Sequence, residues 1–253
     1  MKKRIFALLF CFVIMPLTLC SCQFSWKHEQ SGIYTYSKYK TGFRVSVTMK
    51  EKDNGILELP KYFRGKPILK IASISGYLEE IVIPKTITEI GVGVISSKPD
   101  LVTIIVDENN KTFDSRNSCN AIIETETNKL VTGCKTTIIP DNVTSIGESA
   151  FRNCSGLTSI AVPYSVTSIG DNAFYGCEGL KSIVIPTTVT SFGYLAFDNC
   201  GRDLKIFYKG TSEPANLIYT NWNCGHKVYY YRTTQPTTNG NYWHYVNETP
   251  TIW

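Results

Sequence analysis

The sequence predicts a β-rich solenoid, a stack of similar coils that repeats about every 23 residues. Residues 157–179 and 180–203 agree at ten positions when the second segment is laid over the first, and residues 134–156 keep the same frame. A fixed period of this length is typical of solenoids. A unit this short cannot bury its own apolar residues, so a core forms only where neighbouring coils stack. We expect roughly six coils with a parallel β-strand face, short 3₁₀ or turn segments, and β-hairpin caps.

The residues that recur in each unit resemble the repeat of a known protein family. The units read roughly L-x-x-I-x-I-P, then V-T-x-I-G, then A-F-x-x-C. This pattern resembles the BspA-like leucine-rich repeats of bacterial surface proteins. The resemblance implies a horseshoe-like solenoid used for adhesion or protein binding at a cell surface, and it does not imply an enzyme.

The N-terminal segment 1–22 has the features of a lipoprotein signal peptide. Basic residues 2–4 precede an apolar run over 5–15, which is too short to span a bilayer. The sequence Leu-Cys-Ser-Cys at its end resembles a bacterial lipobox, so lipidation is expected at Cys22 rather than Cys20. Ordinary secretion is the alternative. The expected location is the cell envelope, lipid-anchored at the outer-membrane surface, with periplasmic or external orientation left open.

Charge gives no sign of a nucleic-acid partner. The chain has 26 basic and 21 acidic residues and a net charge of +5. Loss of residues 1–21 removes three basic residues and lowers the net charge to +2. So small an excess does not favour nucleic-acid binding, and the membrane is expected to be contacted only through the lipid.

The pattern of apolar and polar residues divides the remaining chain into segments. Apolar and polar residues alternate over 43–49, which indicates a half-buried strand in an N-terminal cap. Similar alternation over 227–231 and 242–246 predicts a closing β-hairpin. The predicted boundaries are a tether at 23–31, the N-terminal cap at 32–54, the solenoid at 55–203, and a last strand with the C-terminal cap at 204–253.

The third coil, 101–133, is longer than the others. Its acidic, Asn-rich stretch 107–110 invites a calcium interpretation, but it lacks the spacing of a calcium loop. Asp and Asn also form ordinary turns, so an enlarged loop carrying a small hairpin is the preferred interpretation.

Cysteines provide the most regular pattern of reactive residues. Cys154, Cys177 and Cys200 share one repeat position, where a metal site, a disulfide or packing could explain them. Paired C-x-x-C spacing is missing and parallel side-chain vectors oppose a disulfide, so packing is favoured. Whether Cys119 or Cys224 forms a disulfide is open. Catalytic motifs are absent, and we expect no enzyme activity, cofactor or metal.

The candidate binding surface is the outward face of the stacked strands, because alternate strand residues point away from the core. A row of apolar outward residues either packs along the ladder or marks an interaction site. The large aromatic Tyr164 lies at the edge of this face and is the best hot-spot candidate. The predicted binding residues are Glu80, Val82, Thr103, Ile105, Thr136, Ile138, Ser159, Ala161, Tyr164, Ser182 and Val184, and the expected partner is a host or matrix protein.

Glycan binding is the alternative function. The C-terminal region is rich in aromatic residues, and sugars stack on exposed aromatic faces. The rings concerned are Trp222, Tyr229, Tyr230, Tyr231, Tyr242, Trp243 and Trp253. This alternative requires that they lie on one open surface rather than in the cap.

Overall fold

The computed structural model describes residues 29–50, 54–214, 222–238 and 240–253. The predicted signal peptide, and residues 23–28 of the predicted tether, lie outside this part of the chain. The strands of the first half are β1 (Glu29–Ser31), β2 (Tyr34–Tyr39), β3 (Gly42–Thr48), β4 (Ile56–Glu58), β5 (Tyr62–Phe63), β6 (Lys66–Ser75), β7 (Glu80–Ile83), β8 (Glu89–Ile90), β9 (Thr103–Val106), β10 (Phe113–Asp114), β11 (Ala121–Glu124) and β12 (Lys129–Gly133). Those of the second half are β13 (Ser145–Ile146), β14 (Ser159–Ala161), β15 (Ser168–Ile169), β16 (Ser182–Ile185), β17 (Ser191–Phe192), β18 (Lys205–Tyr208), β19 (Lys227–Tyr231), β20 (Tyr242–Val246) and β21 (Thr249–Ile252).

The coils stack through parallel ladders on two sides of the solenoid. On one side β4, β7 and β9 pair in order, and β14, β16, β18, β19 and β20 form a second parallel run. On the other side β13, β15 and β17 pair. Ser159 lies opposite Ser182 and Ser168 opposite Ser191, so the sequence period is also the register of the stack. The predicted β-solenoid is confirmed.

The N-terminal cap is a sheet that joins the first coil directly. Strands β1, β2 and β3 pair antiparallel, and β3 then pairs parallel with β6. The cap therefore begins at Glu29, within the segment predicted as tether. Tyr39 and Lys70 both donate hydrogen bonds to the carboxylate of Glu89, and Lys40 donates a third over 3.2 Å. These contacts tie the cap hairpin to the coil that contains β8.

Phenylalanines and cysteines stack in the core at the A-F-x-x-C positions. The rings of Phe151, Phe174 and Phe197 lie 5.1 and 5.3 Å apart with planes 2° from parallel. The Cys177 thiol donates to the carbonyl oxygen of Phe151 over 3.1 Å, and Cys200 makes the same bond to Phe174. Each thiol therefore satisfies a buried backbone acceptor of the preceding coil, in addition to filling space.

Next to this ladder, each regular coil turns through a residue whose backbone lies in the left-handed region, with positive φ. Ser149, Asn172 and Leu195 occupy one repeat position and have φ values of 55°, 53° and 53°. Asn tolerates this conformation better than other side-chain residues, whereas Leu is strained in it. The backbones of neighbouring coils also approach closely here and require glycine, because a Cβ on Gly193 would lie 2.2 Å from the amide nitrogen of Asp171.

The third coil contains the predicted hairpin. Strands β11 and β12 pair antiparallel, and β12 continues into the parallel ladder with β13. The Asn110 side chain is buried and donates to the carbonyl oxygens of Pro84 and Ile87 over 3.0 Å each. The Asn-rich stretch therefore acts as a turn that is anchored on the coil before it.

The C-terminal region differs from its prediction. The segments Lys227–Tyr231 and Tyr242–Val246 do not form a hairpin with each other, because β19 and β20 pair in parallel. The hairpin joins β20 to β21 across Asn247 and Glu248, both with positive φ, as tight two-residue turns require. Strands β18 to β20 thus extend the stack, which reaches about eight coils rather than the roughly six predicted.

The Glu89 cluster predicts a pH dependence of stability. Hydrogen bonds from Lys70 and Tyr39 lower the pKa of Glu89 from 4.5 to about 2. A carboxyl whose pKa falls on folding stabilises the native state above its unfolded pKa, and this stabilisation is lost as the pH falls from 4.5 toward 2. Glu89→Gln should therefore lower the free energy of unfolding at pH 7 by about 1 kcal/mol, a small effect because the group is partly exposed.

Urea denaturation of both proteins at pH 7 and pH 3 measures this difference, which should shrink at the lower pH. Glu178→Gln removes an exposed carboxyl and serves as the control. An equal loss of stability at both pH values would show that the charged Glu89 carboxylate is not the source of the stabilisation.

The positive φ shared by Asn172 and Leu195 predicts that two opposite substitutions change stability in opposite directions. Leu195→Asn should raise the free energy of unfolding by about 0.5–1 kcal/mol, because it relieves strain at φ 53°. Asn172→Leu should lower it by about 1 kcal/mol at the equivalent position of the preceding coil. Urea denaturation midpoints measure both, and a tolerated Asn172→Leu would disprove the explanation.

Candidate binding face

The predicted binding residues lie outside the main core. Among the polar positions Thr136 and Ser159 are exposed, and Glu80, Thr103 and Ser182 are half-buried. Among the apolar positions Ala161 is exposed and Val82 and Val184 are half-buried. The largest uncovered side chains of the set are Ile105, Ile138 and Tyr164, which are 44%, 76% and 59% exposed. The inward–outward alternation inferred from the sequence therefore agrees with burial.

The outward face is divided into two parts. Val82 lies opposite Ile105 on strands β7 and β9, and Ala161 lies opposite Val184 on β14 and β16. The segment between them, 134–140, is not a strand. Thr136 and Ile138 thus do not lie on a parallel strand, contrary to the expectation of one strand in every coil.

The third-coil insertion explains this interruption. The amide of Ile138 donates to the carbonyl oxygen of Cys119 over 3.1 Å, and the Thr137 hydroxyl donates to the carbonyl oxygen of Asn120 over 2.6 Å. The backbone amide of Ile138 is therefore satisfied by the inserted segment rather than by β9. Because Ile138 is not held in a ladder, its side chain stands further into solvent than any other large apolar residue of the described chain.

The C-terminal end of the outward face is covered by aromatic residues. Phe207 and Tyr229 continue the row begun by Ala161 and Val184, yet they are only 4% and 7% exposed. The Trp243 ring packs 5.3 Å from Phe207, and its Nε1 donates to the carbonyl oxygen of Tyr208 over 2.9 Å. The accessible apolar row therefore ends at Val184.

The polar row of the face ends in two lysines that sequence reasoning missed. Ser182 lies opposite Lys205, and Lys205 lies opposite Lys227. Both lysines are exposed, and no carboxylate among the described residues forms an ion pair with either. They are almost one repeat apart in sequence, so continuing the repeat frame beyond residue 203 would have brought them together.

Tyr164 also has neighbours that the sequence did not indicate. The ammonium group of Lys209 lies 4.5 Å from the centre of its ring and 5.5 Å from that of Tyr245. Together with Thr187 and Tyr231 these residues line a cavity of about 250 Å³ at the edge of the face.

Most aromatic residues of the predicted glycan platform do not form an open surface. Trp222, Tyr229 and Trp243 are buried, and Tyr230, Tyr231 and Tyr242 are half-buried. Trp222 packs 4.3 Å from Phe192 and closes the end of the core. Trp253 is exposed but stacks on the His244 ring at 3.7 Å.

The cysteine thiols of the described chain are buried or half-buried, and none is paired. Cys119, Cys134, Cys154, Cys177, Cys200 and Cys224 are all free, so neither Cys119 nor Cys224 forms a disulfide. Burial raises the pKa of Cys154 and of Cys200 to about 12. No group of three or more His, Cys, Asp or Glu residues converges as a metal site within the described part of the chain. None of the helices described there is long and apolar enough to span a membrane.

A stack of short coils joined by parallel ladders defines a solenoid repeat protein. The chain belongs to the BspA type leucine-rich repeat family: the family model matches residues 72–124 and 128–213 in six copies, more than half of the chain. Repeats of this family typically form binding scaffolds rather than enzymes. No curated protein matches the chain significantly.

The chain is similar to solved structures of bacterial leucine-rich repeat proteins. A leucine-rich repeat protein from Eubacterium ventriosum is 25% identical with a TM-score of 0.52, over 70% of this chain and 48% of that one. A leucine rich cell surface protein from Faecalibacterium prausnitzii is 23% identical with a TM-score of 0.41, over 74% of this chain and 56% of that one. The chain thus spans about half the length of these two proteins.

Proposed function

We propose that this protein is a lipid-anchored module of the bacterial cell envelope that binds a host or matrix protein through its outward face. Membership of a family of binding repeats supports the class of function.

The observation that carries the proposal is the exposure of large apolar side chains at equivalent repeat positions. Ile105 is 44% exposed and Ile138 is 76% exposed, although both belong to a row whose other members are smaller or half-covered. Exposed apolar side chains grouped on one face often mark a protein interaction site. Thr103 and Thr136 flank them and supply polar groups for the rim.

A rigid backbone favours this face over a mobile loop. Ile105 is held in the ladder between β7 and β9, and the Thr136 hydroxyl donates to the carbonyl oxygen of Val102. A partner that docks on such a surface loses little free energy to ordering it. Val82, Ala161 and Val184 extend the apolar row on either side.

The anchor follows from the N-terminal sequence. Acylation at Cys22 would hold the solenoid at a membrane surface, since each buried methylene of an acyl chain contributes about 0.8 kcal/mol.

Charge placed on the apolar row should weaken partner binding. Ile105→Lys/Ile138→Lys should weaken adhesion to matrix proteins by about 2 kcal/mol or more, because two unpaired ammonium groups would be buried in the contact. Binding to a panel of purified extracellular-matrix proteins is measured for wild type and variant, with melting curves to confirm that both are folded.

Tyr62→Lys/Val92→Lys adds the same charge at residues that are 55% and 63% exposed outside the outward face, and it should bind as wild type does. Ile183→Lys, at a core residue only 1% exposed, should unfold the middle coils instead. If the Ile105/Ile138 variant adheres at wild-type strength, the face is not the binding surface.

Replacement of the acylated cysteine should release the protein from the membrane. In bacterial cells Cys22→Ser should move the protein from the membrane fraction to the soluble fraction, whereas Cys20→Ser should leave it anchored. Fractionation with mass spectrometry of the mature N-terminus measures both. Release by Cys20→Ser alone would place the anchor at the other cysteine.

A further inference from the structure

A small cavity near the C-terminal end of the solenoid is lined by Tyr164, at the edge of the binding face, and by four residues that are not among the predicted binding residues. Its residues are Tyr164 after β14, Thr187 after β16, Lys209 after β18, and Tyr231 and Tyr245 on β19 and β20. They come from successive coils and meet because the parallel strands end at the same edge. The cavity holds about 250 Å³, enough for one ring-sized group.

Lys209 places a positive charge in this cavity. Its amide donates to the carbonyl oxygen of Ile185 over 2.9 Å, which continues the ladder and fixes the direction of the side chain. Its ammonium group lies within cation–π distance of the rings of both Tyr164 and Tyr245. Burial lowers the pKa of Lys209, but contacts with the Tyr164 and Tyr245 hydroxyls outweigh it and the pKa is raised, so the residue stays charged.

The charge has no anionic partner in the described part of the chain. No carboxylate among these residues lies within ion-pair distance of Lys209. The other polar groups of the lining are hydroxyls of tyrosine and threonine, which can donate hydrogen bonds as readily as accept them. A cavity with an ammonium group, several hydroxyls and no acid is complementary to an anion that also carries hydroxyls.

The walls are held in place before any ligand arrives. The Tyr245 ring packs 4.9 Å from Trp243 and 6.1 Å from Tyr231. Trp243 is fully buried, so it fixes the far wall against the core of the last coils. A preformed pocket loses little free energy to ordering on binding.

We propose that this cavity binds a carboxylated monosaccharide, such as a sialic or uronic acid residue at the end of a glycan. Its carboxylate lies against the Lys209 ammonium group, and its ring hydroxyls meet the hydroxyls of Tyr164, Thr187 and Tyr245. Charge-assisted hydrogen bonds of this kind are about twice as strong as neutral ones, so the carboxylate determines selectivity.

An acidic side chain of a protein is the other source of a carboxylate. It would meet Lys209 but would leave most of the 250 Å³ empty and the surrounding hydroxyls unused. A sugar ring fills the space and has polar groups around its whole edge. The cavity therefore favours the sugar, and an acidic peptide becomes one outcome of the test.

Two matched pairs of probes test the proposal with the purified protein. They are 3′-sialyllactose with lactose, and glucuronate with glucose, measured by saturation-transfer NMR and calorimetry. At least one acidic sugar should bind, and its neutral counterpart should bind about tenfold more weakly or not at all. Lys209→Met, which keeps the aliphatic stem, should lower the affinity for the acidic sugar about tenfold.

Lys205→Met is the matched control, since it removes the same charge from the exposed start of β18, the strand that precedes Lys209, and it should leave binding within about twofold. Tyr245→Phe should weaken binding, because it removes a hydroxyl and keeps the ring that packs on Trp243. Melting curves verify that each variant is folded.

Several results would overturn the proposal. They are equal binding of acidic and neutral sugars, no binding of either acidic sugar at millimolar concentration, wild-type affinity in Lys209→Met, or tighter binding of an Asp/Glu-rich peptide than of both acidic sugars. Sugar binding should also persist in Ile105→Lys/Ile138→Lys, which separates this site from the protein-binding face.

Discussion

The structure depends on the contact between each coil and the next at the same register. A single repeat unit has too few side chains to enclose a core, so its apolar residues are buried only by a neighbour in step with it. The stacked rings of Phe151, Phe174 and Phe197 repeat at 5.1 and 5.3 Å, and the thiols of Cys177 and Cys200 bond to carbonyl oxygens one coil earlier. A shift of one coil by a single residue would break every one of these contacts together.

This constraint fixes the outward side chains while leaving their surroundings free to vary. An insertion is tolerated where it can replace the ladder bonds that it interrupts, as Cys119 and Asn120 do for the segment around Ile138. The outward face can also be covered by side chains where the strands continue past the last regular repeat, because the Trp243 ring packs over Phe207 there. Variation between coils thus produces an uncovered apolar side chain in the middle of the stack and a closed aromatic cluster at its end.

The sequence by itself determined the period, the register and the two faces. The constant spacing of equivalent residues predicted the parallel partners, and strand alternation predicted that Ile105 points outward, where it is 44% exposed. These features follow from short-range rules: alternate residues of a strand point to opposite sides, and equivalent residues of a repeat stack. The packing role of the cysteine ladder was inferred on the same basis, but its hydrogen bonds were not.

Only the tertiary structure decided what happens where the repeat is irregular. Alternating residues cannot distinguish a hairpin from a parallel pair, so the pairing of β19 with β20 depended on the path of the chain between them. The loss of the strand around Ile138 depended on backbone carbonyls of the inserted segment before it, which no side-chain pattern records. Likewise the placement of Tyr245 beside Lys209 depended on the path of the chain after β19, where the 23-residue frame no longer holds. Periodicity specifies contacts between equivalent positions, whereas contacts between non-equivalent positions require the folded path.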